Sequence, residues 1–180
     1  MTMSDIIRAL GFDDAERTLH GKKYNCTISI YRCDLKKKQN FDLFNFRTTI
    51  CPDEVFIELP EGTIDDIYNY ATMYCTENLI YLLSFIKTNA KEKLSEYKDS
   101  IIYVAFSVLH EFGHWIYFDE LEYSTIDYIN EDSKYRSAVM KLDSNIKKDE
   151  YRKIPSEYEA DRFAFAHLTE LLHKLSLNEE

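Results

Sequence analysis

His110-Glu111-Phe112-Gly113-His114 sets two imidazoles four residues apart, with a carboxylate directly after the first. On a helix, positions four apart lie about 40° from each other around the axis and one turn apart along it, so both rings can meet one metal ion from one face. Glu111 then points to the rim of that face, where it can take a proton from a water molecule activated by the metal. Zinc suits such a donor set, because catalytic zinc takes three protein ligands and keeps a fourth position open. Zn2+ is therefore the expected cofactor, with His110 and His114 as ligands and Glu111 as the catalytic base. The plainer alternative is a core helix whose two histidines are satisfied by local hydrogen bonds, although three ionisable groups there would need partners in any case.

A third ligand does not follow on the same helix. The extension HExxHxxGxxH would need Gly and His where the chain has Tyr117 and Glu120. The other route is a second helix, and residues 157 to 164 read Glu157-Tyr158-Glu159-Ala160-Asp161-Arg162-Phe163-Ala164. There Glu157 would complete the metal set. Asp161, one turn on and on the same face, would accept the N–H of a ligating imidazole, and Ala160 and Ala164 would let the two helices approach closely. Glu159 competes for the ligand role from a face about 200° away. Ser156 and Glu159 form an S-x-x-E capping box, which gives Glu159 a structural task and favours Glu157. Without the upstream motif, the same acidic turn would simply complement a helix dipole. His167 is read as a core or surface histidine, and His20 and His173 carry no signal. A donor for a developing oxyanion is to be sought among Tyr117, Tyr123, Tyr128, Tyr151 and Tyr158.

These residues need helices to hold them. The almost wholly apolar run 101 to 118 predicts a central buried helix, and Pro155 opens the last one. Upstream, residues 4 to 10, capped by Ser4, and residues 12 to 20 each read as a short helix ending at a glycine. Alternation over 26 to 31 predicts a strand, a second lies within 41 to 50, and a third covers 54 to 59. Pro52 and Pro60 bracket that third strand and place it at a sheet edge, where an extended peptide could pair. From Thr63 to Phe112 there is no Gly or Pro, so one long helix or two, broken near Lys87 to Lys91, is expected. Residues 121 to 150 are polar, with helical potential around 132 to 143. The sum is an α+β chain, a small mostly antiparallel sheet packed on a helical body, in one domain spanning 1–180.

Composition narrows the partners. With 180 residues, 45% of them hydrophobic, the chain has enough apolar material for one globular domain. A net charge of −10 repels nucleic acid and anionic lipid surfaces alike. Cys26, Cys33, Cys51 and Cys75 show no CxxC spacing and read as reduced core thiols. The N-terminal residues lack the pattern of a secretory signal or anchor, and His110, Glu111 and His114 interrupt the one stretch long enough to span a bilayer. A cytoplasmic location without membrane attachment is expected.

HExxH followed by ExxxD resembles the gluzincin zinc metallopeptidases, and HEFGH with an ExEADxFA helix is most similar to their ImmA/IrrE-type members. The resemblance spans about residues 100 to 170. It implies a zincin-like fold with the HExxH helix facing a C-terminal glutamate-ligand helix, and hydrolysis of peptide bonds in a protein or peptide substrate. A basic regulatory protein, such as a DNA-binding repressor, is the substrate that analogy suggests. The 43 residues from His114 to Glu157 mark 121 to 150 as an insertion or lid. Two other classes stand beside this one: a zinc-binding regulatory module without turnover, and a metal-free interaction protein.

Overall fold

The computed structural model describes residues 1–13, 15–34, 46–51, 54–121 and 124–177. Along the chain run α1 (Met3–Leu10), β1 (Thr18–Leu19), β2 (Lys22–Lys23), β3 (Ile28–Asp34), β4 (Arg47–Ile50), β5 (Val55–Glu61), α2 (Ile64–Tyr74), α3 (Thr76–Asn89), α4 (Asp99–Glu120), α5 (Thr125–Val139), α6 (Ser144–Tyr151) and α7 (Pro155–Leu177). The architecture is α+β, as expected, with two small sheets. Two of the three strand pairings are antiparallel, while the longest, β3 with β5, is parallel.

Helix α4 is the axis of the molecule. Every residue from Ser100 to Ile116 is buried, which its nearly uniform apolar character demands. Its neighbours are α7, α2, α3 and the β4 and β5 strands. Helix α7 runs antiparallel to it, with Phe165 against Phe106 near one end of the shared seam and Glu157 beside His114 near the other. Between them a Cβ built on Gly113 would stand 2.7 Å from Ala160 Cα and 2.9 Å from the Ala160 carbonyl oxygen. Neither helix can retreat cheaply from such a contact with backbone, so only glycine fits.

Several expectations give way to local chemistry. Residues 12 to 20 do not form a helix. Leu19 pairs with Lys22 around His20 and Gly21, whose φ angles of 51° and 77° make the turn of a two-residue hairpin. α1 starts at Met3 with Thr2, not Ser4, at its cap. The strand at 54–59 is central and not an edge, because the sheet order is β3-β5-β4. Pro60 is tolerated there because its missing N–H falls on the β4 side, past Glu58, the last residue paired with β4. Pro52 and residues 41 to 45 of the second predicted strand lie outside the described residues. The expected break near Lys87 to Lys91 is present, since α3 ends at Asn89, and a further break falls at Cys75; the polar segment forms α5 and α6. The four cysteines are thiols outside any disulfide and half-buried, less deeply placed than core thiols. Among the described residues no helix is long and apolar enough to cross a membrane.

The Gly113 contact yields a measurable expectation. Gly113→Ala should lower unfolding stability in urea by about 1–3 kcal/mol with an unchanged m value, because the added methyl forces two packed backbones apart. An unaltered midpoint would show that the crossing is looser than described.

Candidate metal centre

The antiparallel crossing brings His110, His114 and Glu157 together as one buried group whose potential ligand atoms all lie within 4.8 Å of one another. His110 Nε2 is 3.1 Å from His114 Nε2 and 3.2 Å from Glu157 Oε2, and His114 Nε2 is 3.7 Å from Glu157 Oε1. Ligands bonded at zinc distances in a tetrahedral arrangement sit about 3.3 Å apart. Two imidazole nitrogens and one carboxylate at this spacing can hold a divalent metal ion. Asp161 takes the place expected for it: its Oδ1 lies 2.9 Å from His110 Nδ1. That bond fixes the ring and leaves Nε2 facing His114 and Glu157.

Glu111 is 7% exposed and turns toward strand β4, where its Oε2 accepts the Thr48 hydroxyl at 2.8 Å. The same hydroxyl lies 3.0 Å from the Glu111 carbonyl oxygen, tying the strand to α4. Glu159 faces elsewhere and pairs with Arg162 at 2.7 Å. It is Glu157, not Glu159, that joins the two histidines in the buried group, but the capping box offered for that preference is absent. Ser156 lies inside α7, and its hydroxyl donates to Asp132 of α5.

Two arginines, Arg136 of α5 and Arg152 just past α6, neutralise Glu157 and Asp161 of α7. Arg136 Nη2 donates to Glu157 Oε1 at 2.8 Å, and Arg152 Nη1 donates to Asp161 Oδ1 at 2.8 Å. The Tyr151 hydroxyl also donates to Glu157 Oε1, at 2.8 Å, and itself accepts from Arg136. Sequence reasoning passed over Thr48, Arg136 and Arg152. The only trace of Arg136 was its i,i+4 spacing from Asp132, to which it is ion-paired, and such pairs are common on any helix.

Of the tyrosines considered as oxyanion donors, Tyr128 and Tyr151 line the cleft beside the group. Tyr117 lines a separate hollow on the other side of α4, Tyr158 is 56% exposed, and Tyr123 lies outside the described residues. His167 stacks on His20 with ring centroids 4.5 Å apart, away from the candidate centre.

Burial and neighbours divide the protons. Burial disfavours a charge on His110, but its hydrogen bonds to Asp161 and Glu157 outweigh this and raise its pKa to about 10. Burial, with the positive charges of His110 and Arg136, lowers His114 to about 4 against the pull of Glu157. Glu157 is held well below the ordinary carboxylate range, since both histidines and Arg136 overcome its burial. Burial raises Glu111, opposed by His110 and the Thr48 hydroxyl. With only protein groups around it, His110 is thus an imidazolium that donates from Nε2 toward neutral His114 and ionised Glu157. The proton occupies the side of the ring that a cation would use.

The group opens into a cleft of about 690 Å³. One wall is β4 and the other is α5, with Phe106 and Leu82 among its apolar lining. Comparison with known protein families, curated proteins and solved structures finds no match to this chain.

The proton arrangement sets the sign of a pH effect. Because the His110 pKa is raised, a cation arriving at neutral pH must expel its proton, while His114 and Glu157 have none to lose. Zinc uptake should therefore release about one proton, and its apparent affinity should rise roughly tenfold per unit between about pH 6 and 8. Calorimetry in buffers of different ionisation enthalpy reads both, and uptake without proton release would refute the assignment.

Proposed function

We propose that the chain is a zinc-dependent metallopeptidase of the gluzincin type, most similar to the ImmA/IrrE group, acting on a protein substrate. The observation that carries this reading is that the buried His110, His114 and Glu157 group and the Glu111 carboxylate line one cleft whose wall is a strand edge. A zinc ion held by that trio would supply Lewis acidity, lowering the pKa of a water molecule from 15.7 to about 7 and polarising a peptide carbonyl. Glu111 takes the proton of the attacking water and passes it to the departing amine. Thr48 holds the Glu111 carboxylate at 2.8 Å, which favours the ionised form a base needs. Asp161 keeps His110 oriented through Nδ1.

Strand β4 offers the docking edge that the sequence reading assigned to 54–59. Cys51 N–H bonds to the Glu54 carbonyl, and in the register that follows, Ile50 opposite Val55 and Thr48 opposite Ile57 are non-hydrogen-bonded pairs. The backbone N–H and C=O groups of Thr48 and Ile50 therefore point away from β5. An extended peptide laid along this edge would bond to them and pass its carbonyl beside Glu111. The net charge of −10 favours a basic partner through long-range steering.

Glu111→Gln separates turnover from metal binding. Zinc content and thermal stability should stay at wild-type values while peptide cleavage falls by about 10²–10⁴-fold. A variant that retains both zinc and the biological effect of the wild type would instead favour the regulatory-module reading.

A further inference from the structure

The two oxygens of Glu157 are treated differently by the protein. Oε1 accepts two donors, Arg136 Nη2 and the Tyr151 hydroxyl, each at 2.8 Å. Oε2 faces His110 Nε2 at 3.2 Å. The donors are themselves anchored. Arg136 spends Nε on Asp132 and Nη1 on Tyr151, and its Nη2 also lies 3.4 Å from the Ser156 hydroxyl. Asp132 in turn accepts the Ser156 hydroxyl. The guanidinium is thus fixed by one helix and aimed at another, with four partners arranged around its planar fork.

We infer that Arg136 and Tyr151 are positioning residues that commit Oε1 of Glu157, so that only Oε2 is offered to a cation shared with His110 and His114. This rests on the reading of the trio as a divalent-cation site and adds a statement about coordination number. A carboxylate free to turn can give both oxygens to a cation and fill the position that catalysis keeps open. Holding one oxygen in two hydrogen bonds prevents that turn. The task falls to α5 and α6, the segment that sequence reading marked as an insertion or lid.

Cobalt(II) tests this by a property other than activity, because its visible d–d bands are strong in four-coordinate sites and weaken as coordination number rises. The wild-type protein is expected to bind one Co2+ per chain with strong bands. Arg136→Met/Tyr151→Phe is expected to bind one Co2+ but to lose the strong bands for the weaker five-coordinate spectrum. Arg136→Met alone, which keeps the Tyr151 packing, is expected to move in the same direction. Arg136→Lys, whose ammonium can still donate to Oε1, is expected to keep the wild-type bands. Wild-type bands in the double and the Arg136→Met variants, or loss of cobalt from a double variant that retains its helical circular dichroism, would overturn the inference. Failure of the wild-type protein itself to bind Co2+ would instead sink the metal-site reading on which it stands.

Discussion

The approach of α4 to α7 at Gly113 and Ala160 is the constraint on which the rest depends. With 2.7 Å separating Ala160 Cα from where a Gly113 side chain would begin, the helices meet backbone to backbone. Beside that contact lie two imidazoles and the carboxylates of Glu157 and Asp161, with Glu111 turned toward β4, and none of the five is more than 9% exposed. Unpaired, such charges would be expelled or neutralised, and removing one partner from a buried pair costs about 3–5 kcal/mol. The chain meets the cost with Arg136 on Glu157, Arg152 on Asp161 and Thr48 on Glu111.

Those compensations explain the placing of the polar stretch between α4 and α7. Helices α5 and α6 contribute little to the apolar core. Arg136 of α5 and Arg152, the residue that follows α6, are the cations that let α7 bury two carboxylates, and α5 forms the far wall of the cleft. Tyr81 of α3 donates to Asp149 of α6 at 2.8 Å, which anchors the segment to the body of the molecule. Counter-charge and cleft wall are thereby supplied by one piece of chain, so the electrostatics of the trio and the shape of its approach are linked.

What the sequence made legible was what is written at short range. HExxH on a wholly apolar helix declares its own geometry, because residues four apart on a helix must share a face. Glu157 and Asp161 were legible for the same reason, once a second helix was assumed to face the first. The contacts that were missed join residues far apart in sequence: Thr48 meets Glu111 across 63 positions, and Arg136 meets Glu157 across 21. No periodicity encodes such meetings. The edge position expected for residues 54 to 59 fails for a similar reason. Pro60 signals an edge only if both its neighbours extend past it, and here β4 pairs no further than Glu58. The hairpin at 18–23 was hidden because Ala15-Glu16-Arg17 favours helix locally, while His20-Gly21 and the Asp13–Thr18 bridge decide otherwise.

Anomalous diffraction at the zinc absorption edge, from crystals grown with zinc, decides whether the trio holds a metal ion. One strong peak is expected about 2.0–2.2 Å from each of His110 Nε2, His114 Nε2 and Glu157 Oε2. A map without density there at saturating zinc, or with the ion seated on other residues, would contradict the metal-site reading.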